Sequence, residues 1–176
     1  MPTHEARLAA VRSGRIGAVT SVQVSSNHGY HAVAIMRALL GAGFGPVAVR
    51  AASFKAPMAH PVLFDEWQDD TSPRPTRTTI ATLDFGAGMG LYDFTDLQWF
   101  SPLRHRRLVV RGDTGEIDGD SLLRLGDRTV VPSTFQRRYT GIDMNHEGFD
   151  LDHLALDGEI VYRNPYRGLR LSDEDI

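Results

Sequence analysis

The chain has 176 residues, 41% of them hydrophobic and 23% charged, with a net charge of -3. That is enough for one domain with a real core, too little for two of ordinary size, and not the composition of a disordered chain. The slight negative charge gives no general attraction to nucleic acid or anionic membranes. There is no cysteine, which excludes disulfides, thiolate metal sites and cysteine nucleophiles and fits a cytoplasmic protein. No apolar run approaches the roughly 18 residues of a membrane helix, and no basic stretch followed by an apolar one opens the chain.

The first predicted element is a helix capped by Thr3 and running through "HEARLAAVRS" to Gly14, with Leu8 and Val11 turned to the core. A strand rich in β-branched residues follows from about Ile16 to Ser25. In "SSNHGYHAVAIMRALLG", Ala32, Ile35, Met36 and Leu39 recur at helical spacing, and Gly41 ends the pattern. "GPVAVRAASF" is another strand. "KAPMAHPVLFDEWQDDTSPRPT", with its prolines and clustered acids, reads as a long loop of the kind that is often functional or mobile.

From Arg77 onward the pattern is sheet. "TRTTIATLDFG", "MGLYDFTDLQWF", "RRLVVRG" and "GEIDG" are separated by glycines, with a tight turn at "GDTG". Short strands follow at "LLRL", "RTVV" and "FQRRY", and Asp157-Gly158 between apolar runs marks a hairpin tip. No helical crossover separates these strands, so the sheet is expected to be largely antiparallel. Apolar side chains on both parities of Leu91 to Trp99 point to burial of the sheet's second face, and hence to a homodimer or higher oligomer formed sheet to sheet. At the end, Ser172 followed by Asp173, Glu174 and Asp175 announces a helix that does not arrive. The expectation is that the natural protein continues.

Two glycine clusters, "GAGFG" (41–45) and "GAGMG" (86–90), invite comparison with a dinucleotide-binding loop, but Pro46 and Leu91 stand where the last glycine is due. The first reads as a helix terminator and the second as a hairpin connection, so no cofactor-binding residues are expected. "RHRR" (104–107), close to Trp99 and Phe100, reads as a solvated strand end and not as a nucleic-acid patch. His28 and His31 lie three apart, as two metal ligands on a helix would, but a metal needs three or four converging ligands and no third is indicated. No metal is expected. A cap or core-edge role is the default for His28. His31, in the helix's first turn, is placed to act as acid or base near neutral pH.

"GRIGAVTSVQVS", then "GYHAVAIMRALLG", then "RRLVVRGDTGEI" resemble the C-terminal domain of the Gfo/Idh/MocA oxidoreductases, the family of glucose-fructose oxidoreductase and inositol dehydrogenase. A motif like G-x-H-x-x-D there leads a helix ending in Leu-x-Gly. Gly29, His31, Leu39 and Gly41 match in register, whereas Ala34 stands at the family's aspartate. The resemblance covers nearly the whole chain, and only its helix motif is moderately specific. It implies an α+β fold like the C-terminal domain of glyceraldehyde-3-phosphate dehydrogenase, a large mainly antiparallel sheet with helices packed on one face. Residues 1–176 would then be a single substrate-binding and oligomerisation domain, truncated at both ends and lacking the Rossmann domain that binds NAD or NADP.

By the same resemblance His31 would exchange a proton with a sugar or polyol hydroxyl, with His28, Tyr30 and Asp93 against the substrate. Ala34 leaves three alternatives open. The chemistry has changed, another acid such as Asp93 substitutes, or the parent is a noncatalytic binding or assembly protein that kept the scaffold. The chain alone is expected to bind no cofactor tightly and to be inactive.

Overall fold

A computed structural model describes residues 2–25, 28–139 and 151–165. In chain order the elements are α1 (Pro2–Arg12), β1 (Val19–Val24), α2 (Gly29–Leu40), β2 (Ala48–Met58), β3 (Val62–Leu63), β4 (Glu66–Trp67), β5 (Arg74–Asp84), β6 (Met89–Thr95), a 3-10 turn (Gln98–Phe100), β7 (Leu108–Gly112), β8 (Gly115–Asp118), β9 (Ser121–Leu125), β10 (Val130–Thr134), β11 (Gln136–Tyr139), β12 (Leu151–Leu156) and β13 (Glu159–Arg163). Pairing is mixed but mainly antiparallel, with β1 and β6 running parallel. With two α-helices among the described residues, this is the α+β class the sequence predicts. The chain forms two compact units, Val19–Arg111 and a second made of Met1–Ala18 with Gly112–Ile176.

In the Val19–Arg111 unit the strand order is β7-β1-β6-β5-β2, and α2 packs on β1 and β6. Ala32, Met36, Leu39 and Leu40 of α2 are buried, as are Val22 and Val24 of β1. Each larger aliphatic side chain so enclosed contributes about 1.5–3 kcal/mol. The helix ends where the sequence predicts. Gly41 takes a left-handed φ of 64°, and the Ala42 N–H returns to the Arg37 carbonyl at 3.0 Å. Gly90 of β6 lies directly under this helix, and a Cβ there would come within 2.6 Å of Met36 Sδ.

The long loop expected after Phe54 is half strand, with 59–61, 64–65 and 68–73 left as connections. β2 continues to Met58, β5 begins at Arg74, and between them β3 and β4 form a hairpin whose two turn residues, Phe64 and Asp65, both have positive φ. Proline marks a loop in sequence because it removes a backbone donor. In this ribbon Pro57 faces Pro75 across one pair, so the missing donors fall together where the ladder asks for none.

The other unit holds the antiparallel strands β8-β9-β10, a separate antiparallel sheet β11-β12-β13, and α1, which packs against β12 and β13. Ile16, Ile117, Leu122, Leu151, Leu154 and Leu156 are its largest enclosed side chains. The residues that α1 buries are Pro2, Ala6, Arg7 and Ala10, while Leu8 and Val11, expected at the core, are only half-buried. The small alanines let the helix seat closely. Arg7 is brought inside by its partners: Nε donates to the Gly119 carbonyl at 3.0 Å and Nη2 to Asp120 at 3.3 Å, and Asp120 also accepts from Arg137 at 2.6 Å. Asp157 and Gly158 form the β12–β13 tip with φ of 53° and 81°, the conformation an Asp-Gly hairpin favours. The helix announced by Ser172 lies outside the described residues.

Candidate functional site

α2 begins at the only place in its unit where two histidines stand together among the described residues. His28 is the N-cap by backbone, its carbonyl accepting the Ala32 N–H at 3.1 Å, but its side chain makes no cap hydrogen bond. The imidazole turns instead toward aromatic neighbours. It stacks on Tyr30 with ring centroids 6.1 Å apart and tilts against Phe94 at 5.8 Å. Tyr30 in turn lies 4.1 Å from the His31 ring. His28, Tyr30 and His31 are all exposed, Tyr30 at 70%. The result is an open aromatic surface with two imidazoles, able to stack against the C–H face of a small ligand and to exchange a proton with it.

β6 supplies the floor. Successive strand residues point to opposite faces, so Gly90, Tyr92 and Phe94 share the face that carries α2, and Tyr92 stacks on Phe94 at 6.2 Å. Burial first, then the charges of Asp96 and Asp93, push the Tyr92 phenol above its ordinary range. Tyr92 and Phe94 are the site residues that sequence reasoning missed. Their alternation in "LYDFT" was the available signal.

Asp93 has the other parity and belongs to the opposite face of the sheet. There its carboxylate accepts from Ser25 Oγ in a short contact and from Gln23 Nε2 at 3.5 Å. Ser25 is buried, and its carbonyl accepts from Gln98 Nε2, which also donates to the His105 carbonyl at 3.2 Å, while Gln98 Oε1 accepts the Thr95 N–H at 3.1 Å. This knot ties the ends of β1 and β6 to the segment before β7. The structure therefore brings His28, Tyr30 and His31 together and leaves Asp93 apart from them. Ala34, one turn beyond His31, is exposed and offers no acid.

Among the described residues no group of three or more His, Asp and Glu is gathered as a metal would require. No described helix is long and apolar enough to cross a membrane. The "GAGFG" run ends α2, and "GAGMG" joins β5 to β6, where the Phe85 N–H bonds the Gly88 carbonyl at 3.1 Å. Neither forms the strand-turn-helix cradle that a dinucleotide pyrophosphate requires.

No family model matches the chain, and no curated protein matches it in sequence. Solved structures with a similar backbone include an oxidoreductase from Agrobacterium radiobacter in complex with NAD+, L-tartaric acid and magnesium, at 13% identity and a TM-score of 0.43, the match covering 74% of this chain and 42% of that one. The transcriptional regulator Gal80p from Kluyveromyces lactis matches at 14% identity and a TM-score of 0.41 over 93% of this chain and 43% of its own. Biliverdin reductase from Synechocystis sp. PCC 6803, in complex with biliverdin and NADP+, matches at 14% identity and a TM-score of 0.36, over 72% and 44%. This chain thus spans less than half the length of each. Likeness at this level carries nothing about chemistry.

Proposed function

We propose that this chain is the substrate-binding and oligomerisation domain of a larger NAD(P)-dependent oxidoreductase of the Gfo/Idh/MocA kind, acting on a sugar or polyol in the cytoplasm. The observation that carries the reading is His31 itself: it stands exposed in the first turn of α2, against the Tyr30 ring, inside the run where Gly29, His31, Leu39 and Gly41 match the family motif. Tyr30 and His28 would pack on the substrate's carbon face. His31 would take the proton of the hydroxyl being oxidised.

The nicotinamide cofactor, which accepts the hydride in such reactions, does not fit the residues of this chain. Holding it falls to the Rossmann domain that the reading requires. Subunits would associate through the sheet face opposite α2, where Phe54 and Ile80 are about half exposed. The noncatalytic alternative is favoured by one observation: the carboxylate lost at Ala34 is not restored by Asp93, which lies on the other face.

The test is cofactor reduction by the full-length protein with a panel of sugars and polyols. His31→Ala should lower kcat by about 10²–10⁴-fold while shifting KM far less. Turnover left intact by His31→Ala would sink the catalytic assignment, and absence of turnover in the unmutated protein on every substrate would favour the noncatalytic reading.

A further inference from the structure

Register and strand parity show what else shares the face of the sheet that carries α2. Phe94 faces Thr79 across β5 and β6, and Thr79 faces Ser53 across β2 and β5. The Ser53 and Thr79 hydroxyls meet at 2.9 Å, so the odd residues of β2 and β5 continue the floor formed by Tyr92 and Phe94. Two residues further along this face, Lys55 and Arg77 stand directly opposite one another. The Asp96 N–H bonds the Arg77 carbonyl at 2.8 Å, so the odd residues of β5 bond β6. Lys55 and Arg77 are therefore a non-bonded pair of the β2–β5 ladder, the kind in which side chains approach most closely.

Like charges set opposite one another destabilise a sheet, and here they are only partly neutralised. Arg77 Nε lies 3.3 Å from the Asp96 carboxylate, whereas Lys55, also exposed, has no ion pair among the described residues. Protection of a sheet edge explains a lysine on β2, the outermost strand. It does not explain why that lysine faces an arginine of β5, which has a strand on either side. An anion held between the two cations relieves the repulsion. Its place adjoins the open surface of α2: Arg77 is the diagonal neighbour of Phe94, about 7–8 Å away, and the Phe94 ring lies 5.8 Å from that of His28. α2 brings the positive end of its dipole to the same end of the sheet, with no acid in its first turn.

We infer that Lys55 and Arg77 form an anion subsite beside the His28, Tyr30 and His31 surface, and that the sugar or polyol bound there carries an oxyanion, a carboxylate or a phosphate. The Lys55 ammonium and the Arg77 guanidinium donate to its oxygens. Whichever of Ser53 and Thr79 accepts in their mutual bond keeps a hydroxyl proton to donate to the same group. The ligand's carbon chain then crosses Phe94 and His28 toward His31. The inference rests on the proposed reading of that surface as a substrate site, so its test reads binding apart from turnover.

The experiment is calorimetric titration of the full-length protein with glucuronate and with glucose 6-phosphate, against neutral glucose at the same ionic strength. At least one anion should bind about tenfold or more tighter than glucose, and the order of the two tells carboxylate from phosphate. Lys55→Gln should remove that advantage and Lys55→Arg should restore most of it. Arg77→Gln, which also leaves Asp96 uncompensated, should remove it as well. Arg50→Gln takes a cation from the opposite face of the same strand, and should change nothing. Failure of both anions to bind more tightly than glucose, an advantage that survives Lys55→Gln, or one that falls equally with Arg50→Gln overturns the inference. Binding that follows the expected pattern without any turnover supports the inference and sinks the oxidoreductase reading. Turnover of neutral sugars alone, untouched by Lys55→Gln, leaves that reading standing and overturns the inference.

Discussion

The two faces of β6 differ by one step of strand parity and do opposite things with their polar groups. On the α2 face, half-buried Phe94 stacks on Tyr92 and meets the exposed His28 ring, and the imidazole of His28 spends none of its hydrogen-bonding capacity on capping the helix. On the other face, Asp93 is committed to Ser25 and Gln23, and Gln98 beside it bonds backbone groups on three sides. Available polar groups on an exposed surface can serve a ligand. Those already paired inside a knot hold strands together, because withdrawing one leaves its partners unsatisfied away from water.

Substitutions should separate the two faces. The largest effect on stability is expected from Gly90→Val, whose side chain meets Met36, Phe85 and Leu83 beneath α2. It should cost about 3 kcal/mol by overpacking, measured by urea unfolding, and should disturb the seat of His31 as well. A neutral result would mean that α2 sits less firmly on β6 than the buried Met36 implies. Next comes Gln98→Ala, which strands the Thr95 N–H and the Ser25 and His105 carbonyls. A loss of about 2 kcal/mol is expected in the same assay, with kcat per folded molecule unchanged. Asp93→Asn keeps the shape and removes the charge that Ser25 bonds, and about 1 kcal/mol should be lost. A fall in turnover at full stability would instead move Asp93 into the site. His28→Ala should be mildest, with stability within about 0.5 kcal/mol of the unmutated protein and a KM rise of a few-fold, since its side chain caps nothing and offers only ring contact.

How much of this was legible in the sequence follows from which interactions are local. α2, its stop at Gly41 and the Asp157-Gly158 tip could be read because helical periodicity and turn conformation are decided within a few residues. The extent of β2 and β5 could not. Their prolines read as loop until the register sets Pro57 against Pro75 in one pair. The placement of Asp93 was half legible: alternation separates it from Tyr92 and Phe94, but which parity lies under α2 is fixed by the contact of Gly90 with Met36, far apart in sequence. Arg7 was missed as a buried residue for the same reason, since its partners Gly119 and Asp120 are more than a hundred positions away.

The most direct test sets His31→Ala beside Asp93→Ala in the full-length protein, with kcat and Tm measured on both. A crossed result is expected: His31→Ala loses about 10²-fold or more in kcat at an unchanged Tm, and Asp93→Ala lowers Tm while the folded fraction turns over normally. The reverse pattern, with Asp93→Ala inactive at full stability and His31→Ala fully active, would contradict it.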